Sequence, residues 1–286
     1  HYFETVNQSL QLQWIPKKNA PWIIGLLIAA GSGASLVVYS VVVFGWERFN
    51  FSFNLVYVFA GSTTIFIALI CYFLFPIYDN TVKQKLALQV KKKYWLYYLL
   101  QFFSGARRQI FVVFASFMMV EKFGLEVHEL TALFLVNFLL NIIFAPIMGK
   151  VVQFFGERIS LCIEYIGLTF VFLAYAGIYY WDWGVEVAIY LFILDHLFFA
   201  LSIAMKTYFQ KIADPSDIAP QAAVAFTINH IAAVFLPAVL GYLWIIHPSS
   251  VFQVAAALAA LSLLASILVP RKPQQGRETI FVIKNA

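Results

Sequence analysis

The chain has 286 residues, 62% of them hydrophobic and 12% charged, and a mean hydropathy of +0.82; a soluble domain carries about a quarter charged residues, so an ordinary soluble protein is excluded. The net charge of +5 does not point to nucleic acid, because no basic stripe interleaved with aromatics lies outside the apolar runs.

A membrane span needs about 20 mostly apolar residues to cross roughly 30 Å of hydrocarbon. Eight segments qualify: 21–45, 53–75, 94–121, 129–149, 158–181, 185–209, 219–246 and 250–269. The runs are continuous and long, whereas barrel strands alternate over about 10 residues. The fold class is therefore an all-α polytopic membrane protein.

Ahead of the first span, residues 1–13 read as the tail of a helix, with neither the basic n-region nor the apolar h-region of a signal peptide. A basic turn, WIPKKNAP, follows, and the chain opens on His1. These features predict an N-terminally truncated fragment. The first span carries Gly25, Ala29 and Gly33 at four-residue spacing, with Ala30 and Ala34 alongside, a pattern that lets helix backbones approach closely in lipid. After the second span comes a segment, 76–93, with Lys83, Lys85, Lys91, Lys92 and Lys93. It is expected to be a solvated linker whose lysines sit at an anionic leaflet, each gaining about 1 kcal/mol; a regulatory partner site is the alternative.

The third span holds Arg107 and Arg108, about 14 residues beyond Lys93 and so roughly 20 Å along the helix axis. That is too deep for easy snorkelling, and a mid-bilayer charge costs at least about 2.5–3.5 kcal/mol, which marks a functional hypothesis. Adjacent positions differ by about 100° around a helix, so the two arginines cannot face one point. Gln101, Ser104 and Arg108 share a face. Arg108 with Gln101 is expected on the cavity side and Arg107 at a structural partner; Arg107 with Ser104 is the converse choice.

Asn137, Asn141, Pro146 and Gly149 in the fourth span suit either the partner face for the first span or packing within a half. Glu164 in the fifth is expected to pair with a loop base. Asp195 and His196 lie near the middle of the sixth span, Asp195 able to neutralise an arginine or exchange a proton and His196 able to titrate near neutral pH. Thr227, Asn229 and His230 form a polar cluster in the seventh, read as interhelical hydrogen bonding, and Pro237 should kink that helix. Cys71 and Cys162 lie inside spans and read as packing residues. Trp22, Trp46, Trp95, Trp181, Trp183 and Trp244 crowd span ends as an interfacial belt.

Charge alternates between connections. One set holds Lys17 and Lys18, the linker lysines, Lys150 and Arg158, Lys206 and Lys211, and Arg271, Lys272, Arg277 and Lys284; the other holds only Arg48 and Lys122 among acids such as Glu47, Glu121, Glu126, Glu129, Asp182 and Glu186. The excess of Lys and Arg in short cytoplasmic loops places the first set and the C-terminus in the cytoplasm of a multi-pass inner-membrane protein.

The connection between the fourth and fifth spans, GKVVQFFGER from Gly149 to Arg158, resembles the cytoplasmic loop signature G-x-x-x-D-R-x-G-R-[RK] of the major facilitator superfamily. Gly149, Gly156 and the basic position near Arg158 match, while Gln153 and Phe154 stand in place of the acidic and basic pair. Two spans, a long basic linker and six further spans complete the likeness. The resemblance implies that 1–75 is the end of an N-terminal half, 76–93 the interdomain linker, 94–270 a six-helix C-terminal half and 271–286 a cytoplasmic tail. It also implies a secondary active transporter that moves a small solute by alternating access, with the third and sixth spans on the pathway. Gln101, Ser104, Arg107, Arg108, Asp195 and His196 are then the candidate pathway residues. The arginines favour an anionic or zwitterionic substrate. No ATP-binding motif is present, so an ion gradient is the expected driving force, with Asp195 the best-placed proton carrier. An efflux carrier for amphipathic compounds and a non-transporting scaffold or sensor with the same fold remain as alternatives. Catalytic signatures are absent, so no enzyme activity, cofactor or metal is expected; the expected partners are a small-molecule substrate, protons and the lipid bilayer, with no nucleic acid.

Overall fold

A computed structural model describes residues 2–49, 52–74 and 82–281. The start of the linker, 76–81, and the end of the tail, 282–286, lie outside the described residues, as do the side chains of Trp46 and Glu47. Inside hydrocarbon every backbone polar group must be satisfied within the chain, and the apolar runs accordingly form helices: α1 (Tyr2–Trp14), α2 (Ala20–Phe49), α3 (Phe53–Leu74), α4 (Trp95–Gln109), α5 (Ser116–Glu121), α6 (Val127–Phe155), α7 (Glu157–Trp181), α8 (Val185–Phe199), α9 (Ile203–Ile212), α10 (Ile218–Ile246) and α11 (Pro248–Ile267). There is no β-strand among the described residues.

Among the described residues, seven helical stretches are long and apolar enough to cross a membrane by length and composition. The third expected span is a helical rod in three pieces, α4 and α5 joined by a π-helical segment, Ile110–Ala115. Such π segments appear mostly as single-turn bulges within helices and are frequent at functional sites; this one begins two residues after Arg108. Local chemistry sets the boundaries. Glu126 and Glu129 form a reciprocal capping box that starts α6, and Gly156, at φ +82°, turns the chain directly from α6 into α7, a backbone angle that L side chains rarely adopt.

Packing follows the small-residue pattern. A Cβ on Gly25 of α2 would lie 2.5 Å from the Ala145 carbonyl of α6, and one on Gly149 of α6 would lie 2.5 Å from the Pro21 carbonyl of α2. The first and fourth spans therefore meet backbone to backbone at two reciprocal glycines, whereas Gly33 leaves ordinary contact distance to Ile142. The aromatic core lies among the remaining helices: Tyr97 stacks on Phe209 with centroids 4.2 Å apart, Tyr175 on Phe252 at 5.0 Å, and Trp244 on Phe114 at 5.4 Å. Trp22, Trp181 and Trp183 are exposed, but Trp244 is buried and donates its indole N–H to Glu121 at 2.6 Å, so it belongs to the core and not to an interfacial belt. Both cysteines are free. The helix α3 buries none of its residues.

The two sets of connections gather at opposite ends. At the basic end Gln210 donates to the carbonyls of Leu12 and Ile15 at 2.9 and 2.7 Å, Gln153 donates to Lys18 O at 3.0 Å, Lys211 pairs with Glu157 at 2.5 Å, and the tail returns so that Gln275 donates to Ala213 O. At the other end Lys122 pairs with Asp182 at 3.0 Å and Gln253 donates to the Tyr180 hydroxyl at 2.9 Å.

The linker departs from the expectation of a solvated segment. Lys85 and Lys91 both reach the fully buried carboxylate of Asp217, at 2.9 and 2.5 Å, and Lys93 reaches Asp214 at 2.5 Å. Gln84 brackets the same loop, donating to Pro215 O and accepting from the Ala219 N–H, while Gln221 donates to Gln89 O. Hydrogen bonding to Asp217 holds the Lys85 ammonium above its ordinary pKa. Lys83 and Lys92 alone among the five linker lysines stay exposed without these bonds. A buried carboxylate must be paired, so Asp217 is the anchor of the docked linker. We expect Asp217→Asn to speed tryptic cleavage within 83–93 about tenfold, the factor that corresponds to a loss of about 1.4 kcal/mol; an unchanged rate would show that the ion pairs do not hold the linker.

Candidate functional site

Two pairs of adjacent polar residues, one on α4 and one on α8, are each split between two environments by the roughly 100° step of a helix. Arg107 points into the protein, 1% exposed. Its Nη2 lies 3.4 Å from Glu164 Oε1 on α7, and its guanidinium sits 4.7 Å from the centroid of the Tyr165 ring. Asp195 of α8 is buried and lies close enough to both groups to share their electrostatic cluster. The cluster thus holds one guanidinium and two carboxylates, and Glu164 Oε2 and Asp195 Oδ1 are buried with no hydrogen-bond partner among the described residues. Glu164 was expected to pair with a loop base; it pairs at depth with Arg107 instead, because α4 and α7 bring the two to one level of the bundle.

Arg108 and His196, one residue on in each helix, face the other way. They line a polar cavity of about 300 Å³ with Gln101 and Ser104 of α4, Asn141 of α6 and Asn229 and His230 of α10. Asn141 Nδ2 is 2.7 Å from His196 Nε2, the Gln101 side chain donates to the Tyr97 hydroxyl at 3.0 Å, and Asn229 donates to Gln101 O at 3.3 Å. That last bond crosses from α10 to α4, where a Cβ on Gly105 would lie 2.5 Å from Asn229 O.

The candidate residues therefore separate. Gln101, Ser104, Arg108 and His196 reach the cavity; Arg107 and Asp195, also read as pathway residues, do not line it. Of the polar cluster on α10, Asn229 makes the interhelical bond, whereas the Thr227 hydroxyl donates to Ala223 O of its own helix and lies outside the cavity. His230 Nδ1 lies 2.9 Å from Phe226 O, also within its helix. Asn137 is buried with its amide unpaired among the described residues. In the loop motif Gly149 and Gly156 serve close packing and the turn, and Glu157 takes the ion pair with Lys211, while Arg158 is only half-buried.

Among the cavity residues not foreseen are Glu4 and Gln8 of α1 and Lys206 of α9. Lys206 read as a loop base, although it falls inside the predicted 185–209 span; Glu4 and Gln8 stand four residues apart, the spacing of one helix face. Neither Arg108 nor Lys206 makes a direct ion pair among the described residues, although the Glu4 carboxylate attracts Lys206 across the cavity. A guanidinium and an ammonium thus face one space together with the Glu4 carboxylate.

Residues 97–284 match the family model described as Major Facilitator Superfamily. The chain belongs to the major facilitator superfamily. No curated protein matches the chain. Members of the superfamily are membrane transporters of small molecules and not enzymes, so this chain is an all-α polytopic membrane protein of a transporter family.

Removing one partner of a buried ion pair leaves an uncompensated charge and typically costs about 3–5 kcal/mol. We expect Arg107→Leu and Glu164→Leu each to lower the thermal midpoint of the detergent-solubilised protein, and the double variant to lose less than the sum, with a coupling of about 0.5–3 kcal/mol. Additive losses would show that the two side chains do not act as a pair.

Proposed function

We propose that the protein is a secondary active transporter that moves a small anionic or zwitterionic solute by alternating access, with the polar cavity as its substrate site. The observation that carries this reading is that Arg108 and Lys206, two cations that make no direct ion pair among the described residues, line one cavity with a single carboxylate, Glu4, near Lys206. A cation in a membrane interior needs a partner or a functional reason to be there, and a substrate carboxylate or phosphate supplies the anion. Gln101, Ser104, Asn141 and Asn229 add neutral hydrogen-bonding groups that orient the solute.

In this reading α2 and α3 close an N-terminal half, 94–270 forms the C-terminal half, and the two rock about the midplane site. The reciprocal glycine contacts of α2 with α6 are the bearing surface. The basic end is cytoplasmic by the excess of Lys and Arg in its connections, in an inner membrane, with the C-terminus on the same side. The gradient is taken up at the buried cluster within the C-terminal half: one guanidinium faces two carboxylates, so a single proton bound at Asp195 or Glu164 balances its charge.

The whole protein in proteoliposomes tests this reading against a panel of small carboxylates and phosphate esters. Losing a charged hydrogen-bond partner costs about 1.5–3 kcal/mol, so Arg108→Ala and Lys206→Ala should each cut uptake of the recognised anion by at least roughly tenfold. Asp195→Asn should flatten the dependence of uptake on pH. Wild-type uptake by both cavity variants would refute the anion reading, and an unchanged pH profile in Asp195→Asn would remove Asp195 from coupling.

A further inference from the structure

Asn137 of α6 does not line the cavity. It is only 1% exposed, and both its amide nitrogen and its amide oxygen are buried with no hydrogen-bond partner among the described residues. Burying a polar group without a partner is costly, so the amide calls for a group that it can answer. Helical register places that group. The Phe192 ring of α8 lies 4.7 Å from that of Phe111, in the rod that continues α4, and 5.3 Å from that of Phe134 on α6, centroid to centroid, so the three rods meet at one aromatic layer. About one turn from that layer toward the basic end, each carries a polar residue: Arg107, four before Phe111; Asn137, three after Phe134; and Asp195, three after Phe192. Residues three or four apart lie on one helix face, so all three turn to the same interior. A second contact fixes α6 against α8 on the far side of this level, where Asn141, four residues beyond Asn137, has its Nδ2 2.7 Å from His196 Nε2. Asn137 is thus held level with Asp195, between the Phe134–Phe192 and Asn141–His196 contacts.

Asp195 is itself buried, and its Oδ1 has no hydrogen-bond partner among the described residues. The charged and titratable groups that face it from other helices are Arg107 of α4 and Glu164 and Tyr175 of α7; α6 brings no titratable side chain between Phe134 and Asn141. A carboxyl that takes up and releases a proton in a membrane interior needs a partner in both states, a donor for the carboxylate and an acceptor for the acid. An arginine supplies donors alone and an ionised carboxylate acceptors alone, whereas an uncharged amide carries two N–H donors and a carbonyl acceptor.

We propose that Asn137 is the hydrogen-bond partner of Asp195 in both of its protonation states, directly or across one bound water. Its N–H donates to the carboxylate, and its carbonyl accepts the O–H of the acid. Asn137 is a positioning residue: it holds the carboxyl between the buried cluster and the Asn141–His196 pair at the cavity. The inference rests on proton uptake at that cluster, and its test reads the carboxyl itself and not transport.

Infrared difference spectra of the whole protein in lipid, recorded as the pH is lowered, show the C=O stretch of each carboxyl that becomes protonated, at a frequency that falls when the group is hydrogen-bonded. Asp195→Asn identifies the Asp195 band by its loss. Asn137→Val removes both donor and acceptor, while Asn137→Thr, which differs from it by a hydroxyl in place of a methyl, keeps one of each. In Asn137→Val the Asp195 band should move to higher frequency and titrate about one pH unit higher, a tenfold gain in proton affinity, because the charge-assisted bond to the carboxylate is the stronger of the two that are lost. Asn137→Thr should fall between Asn137→Val and wild type. A band at its wild-type position in Asn137→Val, or equal shifts in the Val and Thr variants, overturns the proposal and leaves proton uptake at Asp195 standing. A titrating spectrum from which Asp195→Asn removes no band overturns proton uptake at Asp195, and this proposal with it.

Discussion

Arg107 carries a permanent positive charge into the middle of a helical bundle that buries it to 1% exposure, and the helices around it are placed to answer that charge. Glu164 comes from α7, Asp195 from α8 and the face of Tyr165 from α7 again. A buried ion pair is weak evidence for net stability, yet its loss is severe and its geometry is selective. With Arg107 turned to α7 and Asp195 turned toward the same cluster, the rotation of α4 and α8 about their axes is set. Arg108 and His196 then fall on the opposite side, and the polar cavity is a consequence of where the buried charges go. The π-helical segment directly after these residues changes the register of the rod, so that Phe111 and Phe114 continue into the aromatic core around Phe192 and Trp244.

At the ends of the bundle the same requirement is met with exposed charges. Asp217 is buried in the loop before α10 and is answered by lysines from the linker more than a hundred residues earlier. The linker is thereby fixed to α10, the helix that brings Asn229 and His230 to the cavity. Among the described residues no ion pair joins α2 and α6; the two glycines let backbone meet backbone, and dispersion across that close contact holds the pair where lipid provides no hydrophobic drive.

Much of this was legible in the residues. The apolar runs predicted the helices, with α6 extending a few residues beyond its 129–149 core at each end, and the four-residue spacing of Gly25, Ala29 and Gly33 predicted a close helix contact, which Gly25 makes and Gly33 does not, while Gly149 was left open between that contact and packing within a half. That Arg107 and Arg108 must part company follows from helical geometry alone, and Gln101, Ser104 and Arg108 could be put on one face. What could not be read were pairings between residues distant in sequence. Glu164 had a nearer base in Arg158, and nothing local says that α7 will turn it toward α4 instead. The linker lysines looked solvated because their acids, Asp214 and Asp217, lie beyond four intervening spans. Lys206 was taken for a loop base since a lysine near a span end normally snorkels, and only the packing of α9 against α1 and α6 turns it to the cavity. Trp244 sat at a span end like the other tryptophans, but Glu121 on the neighbouring rod captures its N–H.

The division of adjacent residues between a dry cluster and a wet cavity is open to direct measurement. With Cys71 and Cys162 replaced by serine, Arg107→Cys, Arg108→Cys, Asp195→Cys and His196→Cys can each be exposed in membranes to a charged, membrane-impermeant thiol reagent. Arg108→Cys and His196→Cys should be modified rapidly, while Arg107→Cys and Asp195→Cys should stay unmodified until the protein is denatured. Equal labelling of all four positions would show that water reaches the Arg107–Glu164–Asp195 cluster as readily as the cavity, and would contradict the account.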